Sequence, residues 1–432
     1  MGNEKNDCES CPSSGRTAGL YVHIPFCEAK CRYCGFYSEP IKNHVPERLI
    51  SAIIAELSKK RGQESFFTIY IGGGSPSCLP TEQLLRLISE ITSWHGLQAR
   101  ENTAKHALSE VEGMAVLPPK PEEFTIEVNP GQVNKGILSR LRTAGVNRLS
   151  MGAQSFNESE LVFLGRRHSV GDIGRAVEMA RQAGFENIGL DLIFAIPFCG
   201  TGFQPVKARP RWPCHLSGDL MLKSWKYSLR SAIDLGVQHI SAYALTYEEG
   251  TPLQKAVEAG EVEPVDEEID RQMYETTIDE LEKAGFKQYE ISNFAKPGFE
   301  CKHNLNYWAN KPYIGIGPAA GSYWQGKRTL NIADIKKYID GVEQGSTVID
   351  ESETPDNTQI ACETAVLNLR RRCGIILDEF EKQTGFDAMK LFAEPIERYR
   401  ELGLIEATDG RLFLTRGALP IADSVLCDFS TT

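Results

Sequence analysis

The chain has 432 residues, of which 41% are hydrophobic and 24% charged, and its formal net charge is −11. This length suits two or three domains, holds no apolar run near the roughly 18 residues of a membrane span, and is too acidic for a protein dominated by phosphate-backbone contacts. Twelve cysteines behind a polar N-terminus without a secretory apolar segment point to a cytoplasmic protein whose thiols ligate metal or sit buried, and away from a disulfide framework.

Residues 1–18 form a polar tail, where Cys8 and Cys11 make a C-x2-C pair amid Ser, Gly and Pro. Over 19–300, short β-rich runs alternate with longer stretches of helical periodicity. Strands are predicted at 20–24, 67–72, 124–128, 148–152, 188–194 and 239–245, and helices at 46–61, 81–92, 132–144, 170–183, 220–235 and 267–284. Six βα units imply an α/β fold built as a partial, TIM-like (β/α)6 barrel, with an open doubly wound sheet as the alternative. The unusual residues fall where strands end: three cysteines after the first, then "GGGSP", "EVNP", "GAQSF", "DLIF" and "AYALT". A site shared by the C-terminal ends of all six strands favours the barrel.

Segments 93–121 and 198–218 break the rhythm and are expected as surface insertions, or as a lid over the site. An aromatic and glycine-rich connecting segment follows at 301–355. Helical signals at 356–371, 377–384 and 395–402, with a hairpin turn at Asp409-Gly410, make 356–432 a small, mostly helical, winged-helix-like domain. Its charges are mixed, which suits packing or a partner and not DNA.

Chemistry concentrates in "YVHIPFCEAKCRYCGFYS" at 21–38, where Cys27, Cys31 and Cys34 stand within eight residues without a fourth. Structural zinc takes four protein ligands, and His23 leaves a Cys3His site open as a reading. A four-iron cluster can take three thiolates and keep one iron for an outside ligand.

This C-x3-C-x2-C spacing, with Tyr33 before the third cysteine, resembles the signature of the radical S-adenosylmethionine superfamily. The resemblance implies a [4Fe-4S] cluster on Cys27, Cys31 and Cys34. It also implies S-adenosylmethionine on the unique iron, and an electron donor wherever the sulfonium is cleaved to a 5′-deoxyadenosyl radical. The rim motifs suit that cofactor. "GGGSP" offers backbone N–H groups with no side chain in the way, unless it is only a tight turn. Glu127 and Asp191 can accept from ribose hydroxyls or the amino group, while Gln154 and Arg166 can orient the carboxylate.

Outside the two insertions, "YIGGGSPS", "IEVNPG", "GVNRLSMGAQSFN", "LGRRH", "LDLIFAIP", "HISAYALTYEEGTPL" and "HNLNYW" are similar to one subfamily. It comprises the oxygen-independent coproporphyrinogen III oxidases and the HemW haem chaperones. The similarity implies S-adenosylmethionine contacts from Tyr21, Gly73, Gly74, Ser75, Glu127, Gln154, Arg166 and Asp191, and leaves catalytic residues unassigned. The oxidases usually carry another cysteine where this chain has Phe36, so Phe36 and "HNLNYW" favour the chaperone branch. That branch binds haem and passes it to an acceptor protein; radical decarboxylation of coproporphyrinogen propionates is the alternative. Haem contacts would come from His303 or Cys301 as iron ligand and from Tyr307 and Trp308 over the macrocycle. The bland reading is that His303 satisfies backbone groups while the aromatics close the barrel mouth. After Pro197 relatives continue with a Gly-Gln segment where this chain has "FCGTGFQPV", a departure that bears on the cofactor pocket. A homodimer is left open.

Overall fold

Strand β1 (Ala18–Ile24) is buried at six of its seven positions, as a parallel strand covered on both faces must be. It belongs to a computed structural model that describes residues 18–60, 66–106, 120–197 and 218–430. Five further strands line up beside it in chain order, every neighbour parallel: β2 (Phe66–Gly73), β3 (Glu123–Val128), β4 (Arg148–Gln154), β5 (Asn187–Phe194) and β6 (His239–Ala244). The connecting helices are α1 (Pro46–Lys59), α2 (Thr81–His106), α3 (Lys135–Thr143), α4 (Glu158–Leu164), α5 (Val170–Gln182), α6 (Gly218–Asp234), α7 (Pro252–Glu258) and α8 (Glu267–Lys283). Helix α1 presents one apolar stripe, with Leu49, Ile50, Ile53 and Leu57 buried. Side-chain caps fix the starts: Asn134 on α3 and a Ser169 to Asp172 capping box on α5.

The sheet continues past the six units. Strands β7 (Lys287–Gln288) and β8 (Asn293–Ala295) attach antiparallel beside β6. Helix α9 (Lys302–Trp308) then leads to β9 (Tyr313–Ile316), which lies parallel to β1 on its outer side. Antiparallel strands β10 (Gly321–Trp324), β11 (Lys327–Asn331) and β12 (Ile349–Glu353) extend that edge. The order is β12-β11-β10-β9-β1-β2-β3-β4-β5-β6-β8-β7, twelve strands whose outermost members do not pair, so the barrel is open.

The stretch 301–355, read from sequence as a connector, thus supplies four strands to the sheet and carries two helices. Its glycines hid the strands: a Cβ on Gly315 would lie 2.0 Å from the carbonyl oxygen of Gly321, so the close hairpin requires glycine there. Helix α2 also differs from expectation, running to His106 and so making 93–106 of the first insertion helical. Through residue 93, where side-chain burial is described, Ile91 is the last buried position, and good helix formers in the sequence carry the backbone onward. Residues 107–119 and 198–217, the rest of the two insertions, lie outside the described residues.

The C-terminal part contains α10 (Ile335–Glu343), α11 (Asn357–Leu369), β13 (Ile375–Ile376), α12 (Leu377–Thr384), α13 (Ala388–Leu391), α14 (Ala393–Glu401), β14 (Ile405–Thr408), β15 (Arg411–Leu414) and α15 (Ala422–Cys427). The last three strands form a small sheet in the order β13-β15-β14. Asp409 and Gly410 both take positive φ in its tight turn, the helices-plus-hairpin pattern expected. This part docks on the β6 side of the barrel: Arg372 N–H donates to Tyr289 O at 3.0 Å, Ile291 N–H to Arg370 O at 3.2 Å, and Arg416 pairs with Asp279. No helix among the described residues is long and apolar enough to cross a membrane.

Candidate functional site

The C-terminal ends of the barrel strands open into a cavity of about 1470 Å³. Its wall takes side chains from the cysteine loop, from the ends of β2 to β6, and from 419–424 in the C-terminal part.

The cysteine loop begins with Phe26, fully buried, in a short parallel pairing of Phe26–Cys27 with Glu39–Pro40. Its middle is pinned from two sides: Arg32 N–H donates to Leu164 O at 3.1 Å, and Leu253 N–H donates to Arg32 O at 2.9 Å. Cys27, Cys31 and Cys34 all reach the cavity wall. Burial pushes the Cys27 thiol up to about 11, with the neighbouring thiols adding to the shift, and burial likewise raises Cys34. Arg166 Nη1 lies 3.5 Å from Cys31 Sγ and supplies the opposing charge.

Three soft donors on one wall, close enough that Cys27 and Cys34 feel their neighbours and beside a buried cation, fit a thiolate-held iron–sulfur cluster. Among the described residues no three His, Cys, Asp or Glu side chains converge as a single ion requires. A four-iron cluster is several ångströms across and asks only for spaced thiolates. His23 is not available as a fourth ligand: its Nδ1 bonds Tyr21 Oη at 2.9 Å and its Nε2 the carbonyl of Tyr37 at 3.1 Å.

The glycine run plays a different part from the one expected. Gly73 N–H donates to Glu127 Oε2 at 3.1 Å, Gly74 N–H to Ile24 O at 2.8 Å, and Ser75 N–H to Phe26 O at 2.7 Å. Gly73 N–H is spent on Glu127, and those of Gly74 and Ser75 tie the end of β2 to the end of β1 and the start of the cysteine loop, so none of the three is left for a ligand. A Cβ on Gly74 would stand 2.4 Å from Phe26 O, so the close approach demands glycine. Gly73, Gly74 and Ser75 still line the cavity, and Ser75 Oγ donates to Gln132 Oε1 at 2.8 Å.

Glu127 and Asp191 both reach the wall. Tyr70 Oη donates to Glu127 Oε1 at 2.7 Å, yet burial dominates and lifts this carboxyl to about 7. Burial raises Asp191 as well, against hydrogen bonds from Ser241 Oγ at 2.7 Å and Ser150 Oγ at 3.2 Å. Gln154 ends β4 with φ of 67°, in the left-handed region, beside a register shift in the pairing with β5. Arg166 Nη2 donates to Gly152 O at 2.8 Å; a Cβ at 152 would meet Gln154 Nε2 at 2.8 Å. Glycine there lets both side chains lie over the strand.

Not every expected contact gathers here. Tyr21 is absent from the wall, its hydroxyl engaged by His23. His303 is 1% exposed, with Nδ1 bonded to Thr68 Oγ1 at 2.8 Å and Nε2 to Tyr307 Oη at 3.0 Å. Both ring nitrogens are therefore used, and burial holds the imidazole neutral by lowering it to about 3. Cys301 is fully buried, its Sγ donating to Glu123 at 3.4 Å. Tyr307 packs edge-on against His303, Arg370 stacks over Trp308, and neither ring lines the cavity. In this arrangement His303, Tyr307 and Trp308 are engaged in packing, and of "HNLNYW" Asn304 reaches the cavity wall.

Sequence reasoning missed several wall residues, among them Tyr70, Arg148, Tyr243, Arg370 and Ile421. Arg148, Ser150, Gly152 and Gln154 alternate along β4 and share one face, a period-two signal that was present in the sequence. Arg370 and Ile421 carried no comparable signal, because only tertiary docking brings them to the mouth.

Comparison with known proteins gives a consistent picture. The family model described as Radical SAM superfamily matches residues 21–198, and that described as HemN C-terminal domain matches residues 356–421. The protein named heme chaperone HemW from Bacillus subtilis is 34% identical over 415 residues, covering 95% of this chain and 98% of that protein. Its namesake from Lactococcus lactis is 32% identical over 409 residues, covering 95% and 96%, and that from Escherichia coli 35% over 308 residues, covering 70% and 68%. Among solved structures, Escherichia coli coproporphyrinogen III oxidase (HemN), described as a radical SAM enzyme, superposes with a TM-score of 0.74 at 20% identity, covering 96% of this chain and 91% of that one.

Proposed function

Because the chain belongs to the radical SAM superfamily, in the family of the HemW heme chaperones, we propose that it binds haem and delivers it to an acceptor protein. Family membership implies a [4Fe-4S] cluster and S-adenosylmethionine; when bound, they supply an iron site with an open position and a one-electron source. Cys27, Cys31 and Cys34 would hold the cluster, with Arg166 offsetting their charge through its contact at Cys31. Glu127 and Asp191 would accept from the hydroxyl and amino groups of S-adenosylmethionine, while Gln154 and Arg166 orient its carboxylate. Glycine at 73 and 74 keeps β2 tight against the cysteine loop, so the two sides of the pocket hold a fixed spacing.

One observation carries the choice of haem handling over porphyrinogen oxidation. Phe36, two residues beyond Cys34, stands where the oxidases usually carry a thiol; it lines the cavity and is 70% exposed. A thiol there can donate hydrogen or electrons, whereas a benzyl ring offers only an apolar plate. The cavity also exceeds the roughly 300–1,000 Å³ of a typical small-molecule site, which leaves room beside the cofactor for a large flat ligand. Anaerobically reconstituted protein, divided between two assays, tests the proposal. Stoichiometric haem binding with no protoporphyrinogen formed from coproporphyrinogen is expected; turnover of coproporphyrinogen would overturn it.

A further inference from the structure

Five arginines line the cavity, and four have visible partners. Arg167 pairs with Glu28 at 3.2 Å, Arg271 with Glu268 at 2.7 Å and Arg370 with Asp423 at 3.4 Å, while Arg166 bonds Gly152 O and Cys31 Sγ. Arg148, at the start of β4, is only 2% exposed. Among the described residues no ion pair or side-chain hydrogen bond reaches its guanidinium, and its Nε is a buried donor without a partner.

The nearby carboxylates are already engaged. Glu123 accepts from the backbone of Lys302 and His303, Glu127 from Tyr70 and Gly73, and Asp191 from Ser150 and Ser241. Cys301 and Glu123 act on Arg148 through space, as Arg148 acts on Glu127 and Asp191, but none of them bonds its guanidinium, so the buried Nε–H still lacks an acceptor that a ligand's carboxylate can supply. A second orphan shares the spot. Gly189 has no side chain, and a Cβ there would lie 3.2 Å from His239 Nδ1 and 3.4 Å from Arg148 Nη2, so both atoms face one small space. His239 Nδ1 is likewise buried without a partner. Tyr289 Oη accepts from Cys301 N–H and lies 2.8 Å from His239 Nε2. Its own proton is thereby free for Nε2, which leaves the ring proton on Nδ1, also directed at that space.

We propose that Arg148 is a carboxylate receptor on the cavity wall, backed by the fully buried His239, and that its ligand is a propionate of the bound tetrapyrrole. The inference rests on the haem-binding reading and adds an orientation: the carboxylate edge points into the barrel and the apolar plate lies outward, toward Phe36, Tyr243 and Ile421. All three are large exposed apolar side chains on the cavity wall. Planar bidentate recognition of a carboxylate is the task for which arginine is suited and lysine is not.

The test compares haem with its dimethyl ester on reconstituted wild type, Arg148→Gln and Arg148→Lys, each checked for folding by thermal unfolding and for iron and sulfide content. Wild type should bind the diacid about ten-fold or more tightly than the diester, the size of one charge-assisted bond. Arg148→Gln should erase that preference, and Arg148→Lys should reduce it while keeping the buried charge, which serves if the glutamine variant does not fold. Equal binding of both haem forms by wild type, or an undiminished preference in a folded variant, overturns the assignment and leaves haem binding standing. Failure of wild type to bind either form sinks the haem-binding reading and this inference with it. S-adenosylmethionine is titrated alongside; loss of its affinity in Arg148→Gln with the diacid preference intact would give the carboxylate to the cofactor and overturn the propionate.

Discussion

Cys27 and Glu127 are the two residues whose chemistry depends most on what enters the cavity. With its thiol raised to about 11, Cys27 is protonated at neutral pH without iron, so loading a cluster releases protons. Cys27→Ala should remove the visible absorbance of the reconstituted cluster; undiminished iron and sulfide would mean that other ligands hold it. Glu127 ionises near 7 in the folded chain and near its ordinary 4.5 when unfolded, so between those values the folded state binds the extra proton. Its contribution to stability is complete below about pH 4.5 and is lost as pH rises through 7, at most about 3 kcal/mol from the size of the shift. Glu127→Gln should flatten that part of the stability profile of the unloaded protein in denaturant unfolding. A decline of unchanged steepness in the variant would assign it to another group. At this scale the cysteine triad stood out by its spacing, and Glu127 and Asp191 by their place at the ends of predicted strands. The engagement of His303 was not, since Thr68 approaches it from 235 residues away in sequence.

The junction between β2 and the cysteine loop decides the geometry of the site. Gly74→Ala puts a methyl against the carbonyl of Phe26, and neither backbone can yield without breaking the bonds from Gly74 and Ser75. A loss of about 1–3 kcal/mol is expected, with weaker cluster retention. Thermal unfolding and iron content measured on the same sample check it; unchanged values would show that the close approach does not hold the loop. The six parallel strands were readable because burial on both faces writes apolar runs into the sequence, as in β1 and β5. The added strands β9 to β11 were not. They are four or five residues long and contain or border glycines that serve backbone approach, so neither length nor alternation marked them.

Across the whole molecule, an open twelve-stranded sheet and a small helical domain share one cavity mouth. Residues 419–424 bring Ile421, 47% exposed, to the same cavity as the cysteine loop, while Arg416 binds the domain to α8 through Asp279. Fold class followed from the order of predicted elements; the domain's share in the cavity wall followed from no local pattern, because docking angle is a property of the assembled chain. The cavity wall, with its cluster thiols, exposed Phe36 and unpaired Arg148, is suited to holding a flat, carboxylate-bearing ligand and releasing it unchanged. Haem transfer is the most direct test: reconstituted, haem-loaded protein is mixed with a haem-free acceptor and the Soret band followed under anaerobic conditions. Movement of the Soret band to that of the loaded acceptor is predicted, with coproporphyrinogen added in parallel left unconverted. Haem that stays put while coproporphyrinogen is consumed would contradict the account.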